Sequence, residues 1–377
     1  MKHLLLLLLT MIYLCKMPAK GQTTTLYRNG ASSSYDTKDK YVNVKKSFRI
    51  GKKVDLKIIK NKFRNIEIRQ GGTDSLTIVA KIRLDNSKSI DERGLWEKAK
   101  IRTRTEGSIF FIEPILTPDK IPAEGGATTL KSGDSNVLFN RSLRKNVSEE
   151  SIIIYLPNTS NISIDSEFSD IVVSSGFKDI DLVCNNCFIN IPTIRKVNAN
   201  LKYSDLIIEE VDSAKLDVKL GTLNVQKSRA IDVISNITEI KLGQIKFMKL
   251  SSINDEIEID SVDFFLCNKK NGYLRIKKLG TNFTFAGIGS DLTIERISPV
   301  LKKFDLKNEF AKVDISLGDL SNYQVEHSGK FSTLYAPFQF QKVKRGSKES
   351  DLYQSPGSKN SSVAINLDCN NCKIFLK

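Results

Sequence analysis

Two identical tetrads, Cys184-Asn185-Asn186-Cys187 and Cys369-Asn370-Asn371-Cys372, are the residues of this chain best placed for chemistry. Thiols two residues apart can close a local disulfide, stay as free or buried thiols, or contribute half of a zinc site. A thioredoxin-like role would want a strand-to-helix context, and neither tetrad has one. In an exported protein a local disulfide within each of the pairs Cys184/Cys187 and Cys369/Cys372 is the expected state, with free thiols and metal or redox chemistry as the alternatives. Cys267 follows the strand-like run Phe264-Phe265-Leu266 and reads as a core thiol.

Other catalytic constellations are thin. Once an N-terminal leader is removed, His327 is the one histidine, and Ser328-Gly329 beside it reads as a turn, so a Ser/His/Asp or Cys/His engine is not expected. Arg275-Ile276-Lys277 coincides with a motif of pectin-cleaving β-helix hydrolases, but the Asp-Asp pair and Gly-His-Gly that accompany it there are missing. Glu209-Glu210 and Asp255-Glu256 pair carboxylates as acid/base chemistry requires. Neighbours on a strand point to opposite faces, so these carboxylates are expected on a solvated exterior. No phosphate-cradling glycine loop, histidine cluster or calcium repeat is found. The expectation is no catalytic residue, no cofactor and no metal.

These residues sit on a repeat. Polar or glycine corners lead into apolar strands at Ser169-Asp170-Ile171, Ser204-Asp205-Leu206, Gly221-Thr222-Leu223, Thr238-Glu239-Ile240 and Asp255-Glu256-Ile257, about every 17 residues. Such a period marks units that bury their apolar faces only by stacking on their neighbours. The predicted fold is all-β, a right-handed parallel β-helix or β-solenoid with rungs of about 17 residues. A β-sandwich is the rival, since short strands between regular turns suit it too. With about ten rungs between them at ~4.8 Å each, the two tetrads would lie ~50 Å apart, too far to share one metal.

The rest of the organisation follows from composition shifts. Residues 1–21 read as a signal peptide: Lys2, an apolar run through Leu14, and Ala19-Lys20-Gly21 before Gln22. Cys15 follows a bulky Leu14, which disfavours lipidation. Residues 22–47 are a polar linker. Residues 48–150 are a smaller β-rich part, with one short helix over 89–100 capped by Ser89 and a Pro/Gly-rich excursion at 113–149. Residues 151–377 carry the repeats, interrupted by a polar loop at 341–362 and closed by a final rung. No segment of the mature chain is apolar enough to span a membrane. The formal charge of +15 falls to about +12 without the leader and is scattered singly, apart from Lys342-Val343-Lys344-Arg345 with Lys348, which reads as a solvated loop. Nucleic acid is not an expected partner.

Three stretches carry a resemblance: Phe48-Arg49-Ile50-Gly51 through Leu76-Thr77-Ile78-Val79-Ala80, the strand Ile153-Ile154-Tyr155-Leu156-Pro157, and the corners Ser169-Asp170-Ile171 and Ser204-Asp205-Leu206. Over residues 48–376 the chain resembles a bacterial putative adhesin family with a β-strand-repeat domain of unknown function, although it often lacks the corner glycine common there. Its leader resembles Bacteroidetes secretory signals. The resemblance implies a protein of the periplasm, outer cell surface or medium. The resulting expectation is a non-enzymatic adhesin-like β-solenoid that binds a surface glycan or protein or scaffolds at the envelope. A polysaccharide-active lyase or hydrolase and a periplasmic structural or sensing component are the alternatives.

Overall fold

Alternation of apolar and polar residues sends every second side chain of a strand to one face, and breaks in that alternation turn the chain. Strand Thr222–Asn236 shows both. Leu223, Val225, Ser228, Ile231 and Val233 point inward, while Gln226-Lys227 and Arg229-Ala230 are consecutive outward pairs at which the strand bends. The structure is a computed structural model that describes residues 40–50, 54–61, 63–84, 96–97, 99–114, 128–132, 135–139, 151–336, 341–343, 350–354 and 363–377. Residues 39–377 make one compact unit. The expected leader, with Cys15, and most of the expected linker lie outside the described residues.

The described residues are all-β: an open 22-stranded sheet and a separate two-stranded one. Phe188–Lys202, Asp205–Lys219 and Thr222–Asn236 each pair in parallel with the next strand, every residue opposite the one 17 ahead, as in Leu206↔Leu223 and Leu223↔Ile240. Side-chain pairs carry the same offset through Glu239–Ile294, where Lys277 meets Asp260 and Asn271 meets Asn254. Every described ladder within residues 162–315 is parallel. The antiparallel pairing of a β-sandwich is therefore absent from this stretch. Inside, Ile, Leu and Val fill the rungs, and Phe265, Phe283 and Phe304 stack at 5.6 and 4.6 Å between ring centroids.

Rung after rung turns one corner on a left-handed residue: Phe168, Asn186, Tyr203, Leu220, Ile237, Asn254, Asn271 (with Gly272 behind it), Gly289, Phe310, Phe331 and Asn371, the non-glycine ones with φ from 51° at Tyr203 to 59° at Asn271. This conformation costs an L-residue roughly 1–2 kcal/mol, less for Asn, whose side chain bonds locally. Apart from Gly289, the corner glycine is thus replaced by side chains that hold a left-handed backbone within the ladders.

At both ends the rungs leave sequence order. Strands Asp55–Asn61 and Asn65–Gln70 lie between Ile109–Pro114 with Ser151–Leu156 on one side and Ile162–Glu167 with Asp170–Val173 on the other. The β-rich part before residue 150 therefore continues the repeat ladder. Ser75–Leu84 then pairs antiparallel with Ser151–Leu156 and with Lys40–Arg49, so the expected linker over 22–47 gives way to strand from Lys40. Of the helix expected over 89–100, Trp96 and Glu97 are helical and Lys100 donates to the Glu97 carbonyl. The excursion holds a hairpin, Thr128–Ser132 with Ser135–Phe139, and the loop at 341–362 contains Gln341–Val343 paired with Ser350–Gln354. The final rung does not close the stack: Val363–Asn370 and Lys373–Leu376 slot between earlier strands.

Since Asn already occupies this corner position in several rungs, Ile237→Asn should stabilise the chain by about 1 kcal/mol by relieving a β-branched side chain at φ 52°. Urea denaturation reads this directly, and a loss of stability would show that the corner is not strained at Ile237.

Candidate functional site

Two features are built by the rungs: a sealed polar column inside the strained corner, and an open groove on the outside. The column arises because the residue two before the left-handed position and the one just after it both point inward. Where the core is otherwise aliphatic, these positions hold Ser166 and Ser169, Cys184 and Cys187, Ser204, Ser235 and Thr238, Ser252 and Asp255, Lys269, Ser290, Asn308, and Cys369 and Cys372, all buried. Each polar group finds a partner along the corner. Asn61 donates to Ser166 and Ser169 at 3.0 Å, Cys187 N donates to Ser204 Oγ at 3.0 Å, and Asn308 donates to the Ser290 carbonyl at 2.9 Å.

The centre of the column is ionic. The Asp255 carboxylate is fully buried and accepts from Ser235 Oγ at 2.6 Å, Ser252 Oγ at 2.5 Å and Thr238 N at 2.7 Å. Lys269, 3% exposed, donates to the Asp255 carbonyl at 2.7 Å and to Ser252 Oγ at 3.2 Å. Burial pushes the Asp255 pKa up and the Lys269 pKa down, each against its charged form. The expectation that Asp255 lies on a solvated exterior is therefore corrected: Glu256 is exposed, and Asp255 is the inward member of the pair. Aligning the corners at 17 residues places Asp255 with the buried Ser204 and Thr238, so the signal was in the repeat.

Both cysteine pairs belong to this column, and the local disulfide expected within each is corrected: Cys184, Cys187, Cys369 and Cys372 are buried free thiols. A hydrogen bond between the two sulfurs pushes Cys184 up and holds Cys187 down, and Cys369 and Cys372 behave alike. The Cys187 and Cys372 thiols also donate to the Asn185 and Asn370 carbonyls. The inserted final rung brings the pairs closer than sequence order implies, about eight strand spacings or ~38 Å, still too far for one metal. Cys267 is a buried core thiol, pushed up by burial. His327 is nearly buried, with Nε2 3.0 Å from Ser332 Oγ. Lys342 and Val343 lie in a short strand, and Lys344, Arg345 and Lys348 fall outside the described residues.

The groove, about 710 Å³, crosses the outer face of successive rungs. The 17-residue register arranges its lining in columns. One runs Thr193, Glu210, Lys227, Gln244, and another runs Asn224 to Lys241 and on to Glu258. Between them lie Gln226, Gly243, Asp260 and Lys277. Gly243 is the gap in the floor: a Cβ there would stand 2.2 Å from the Gln226 carbonyl oxygen, so the neighbouring backbone excludes any side chain. Neighbouring rungs supply opposite charges, with Lys227 bound to Glu210 and Lys277 to Asp260, both at 2.7 Å. Arg275 donates to Glu295 at 2.6 Å beside Glu258; Glu295 raises the pKa of Arg275, and Asp260 raises that of Lys277. Glu209 and Glu210 are both exposed and both line the groove. Sequence reasoning named Glu209, Glu210 and Lys277 separately; the groove that joins them was not legible.

No family model matches the chain, and no curated protein sequence matches it. Three solved structures are similar to it. One is a putative adhesin from Parabacteroides distasonis, 12% identical, covering 71% of this chain and 98% of that one with a TM-score of 0.39. Another is a putative adhesin from Bacteroides fragilis, 14% identical, covering 73% and 97% with a TM-score of 0.34. The third is a putative cell adhesion protein from Clostridium sporogenes, 8% identical, covering 90% and 99% with a TM-score of 0.19. The resemblance read from the sequence thus recurs among these proteins, at a level that fixes no activity.

Asp255→Ala leaves Ser235 Oγ, Ser252 Oγ and the Thr238 amide without their acceptor, removes the negative charge beside Lys269, and should cost about 3–5 kcal/mol. The raised pKa sets the sign of a pH effect. Protonation of Asp255 favours the folded chain, so wild type should lose stability relative to Asp255→Asn as pH rises from the ordinary carboxylate range through the folded pKa, and stay level above it. Urea midpoints of the two proteins across that range check this, and parallel curves would show that Asp255 does not titrate in its buried site.

Proposed function

We propose that this protein is an exported, non-enzymatic, adhesin-like β-solenoid that holds a surface glycan or protein ligand in its lateral groove. The solenoid reading is supported by the parallel ladders at a constant 17-residue offset, since a rung of this size buries its inner face only against its neighbours. The binding reading rests on one observation: the groove is lined by convergent Asn, Gln, Lys and carboxylate side chains on a continuously hydrogen-bonded backbone, with its floor opened by Gly243. Polar groups held this way are ordered before the ligand arrives, which lowers the entropic cost of binding.

A polysaccharide-active enzyme is the second reading, favoured by the carboxylates Glu209, Glu210, Glu258 and Asp260 in the groove. Against it, Glu210 and Asp260 are each paired with a lysine at 2.7 Å, and a glycosidase needs two carboxyl groups facing the scissile bond.

Residues 22–377 applied to arrays of glycans and host-matrix proteins should bind a restricted set. The variant carrying Gln226→Ala, Lys241→Ala and Lys277→Ala should bind it at least about tenfold more weakly, a loss of about 1.4 kcal/mol or more, with an unchanged melting temperature. Absence of any wild-type binding would overturn the adhesin reading. Release of reducing ends from a polysaccharide, lost in Glu258→Gln, would install the enzymatic one.

A further inference from the structure

The last rung of the sequence is not the last rung of the stack. Val363–Asn370 lies parallel between Lys303–Glu309 and Tyr323–Ser328, in the registers Phe304↔Ile365↔Val325 and Leu306↔Leu367↔His327. Lys373–Leu376 lies parallel between Lys312–Ile315 and Thr333–Tyr335, with Val313↔Ile374↔Leu334. The chain thus builds an outer rung at 323–335, covers it with the antiparallel strand Ser350–Gln354, and returns to fill the space it left behind.

That space is shaped for its occupant. Ile365, Leu367 and Ile374 are buried in it. Backbone bonds enter from both sides: Lys373 N donates to the Ala311 carbonyl at 3.0 Å, and Asn371 N to the Lys330 carbonyl at 2.9 Å. Asn366 reaches Asp305 at 2.7 Å, and Asn370 Oδ1 accepts from Lys330 N at 2.9 Å. A Cβ at Gly329 would stand 1.7 Å from the Cys369 carbonyl oxygen, so Gly329 is what admits the inserted backbone. The residue-by-residue ladders of 303–315 and of 323–335 both run to the inserted rung, which thereby ties the outer rung to the stack.

We propose that residues 303–315 and 323–335 form a strand-acceptor slot and that a second copy of this chain can fill it with its own residues 363–376, giving a reciprocally exchanged dimer. An identical rung makes identical contacts whichever copy supplies it, and exchange of an identical element is a low-cost route to dimers. The bonding supports a second copy over a foreign strand, because only this sequence brings Ile365, Leu367 and Ile374 inward while placing Asn366 on Asp305. The far edge of Tyr323–Ser328 is already covered by Ser350–Gln354, which directs strand addition there to the slot.

The test uses the full chain with a protease site set within residues 355–362. After cutting, the protein should keep its circular dichroism and take up a fluorescent peptide of residues 363–377 to about one per chain. A peptide with Ile365→Asp and Ile374→Asp should not enter. Uncut chains carrying two different tags should co-purify after refolding together from denaturant, and not after mixing as folded proteins. The proposal is overturned if cutting unfolds the chain, if the folded cut chain excludes the wild-type peptide, or if co-refolded chains never co-purify.

Discussion

The parallel ladder at a 17-residue offset is the constraint on which everything else depends. It makes each residue the neighbour of its equivalent one rung away, so a side chain's environment is set by the column it belongs to. A slip of one residue would turn every inward Ile, Leu and Val to solvent, so burial itself locks the register. The ladder also holds the corners. Phe168, Tyr203, Leu220, Ile237 and Phe310 keep left-handed backbones that such side chains disfavour, and hydrogen bonds such as Tyr203 N to the Lys219 carbonyl and Leu220 N to the Asn236 carbonyl secure them to the next rung.

The same register concentrates polarity at the turn. At the inner corner positions Ser, Thr, Cys, Asn, Asp and Lys stand beside the aliphatic Leu201 and Val218. Once polar atoms line a sealed channel, each needs a partner, and the column supplies them from the rungs above and below. Asp255 and Lys269 are the extreme case. Desolvation opposes both charges, and Ser235, Ser252, the Thr238 amide, the Asp255 carbonyl and the attraction between the two groups offset it. Such an arrangement contributes less to stability than to uniqueness, because no other alignment of the rungs satisfies it. It lies within the same rungs that carry the groove: Asp255 opens the run that continues to Glu258 and Asp260.

The outer groove and the inner column are two readings of one lattice. Outward columns alternate charge from rung to rung, and inward columns alternate donors and acceptors. At the ends the lattice needs closure, since an unpaired strand invites another. The chain covers both ends with antiparallel strands, Lys40–Arg49 and Ser75–Leu84 at one and Ser350–Gln354 at the other, and tucks a rung inside each.

Periodicity is local information, and it was legible. Spacing of the corners at 17 residues identified the all-β repeat and the place of each cysteine tetrad at a turn. The inward position of Asp255 was latent in the same alignment, but the rule that strand neighbours face opposite ways says nothing of which member faces in. Non-local pairing left no such mark. The rungs at 55–70 and 363–376 look like their neighbours in sequence, because their own alternation is the same wherever they insert. Only the tertiary structure decided that each fills a slot between other rungs, that Glu209, Lys241, Asp260 and Lys277 share one groove, and that Gly243 opens its floor. Side-chain type determines which face of a strand is buried, while the hydrogen-bond partners of a strand edge depend on where the rest of the chain has gone.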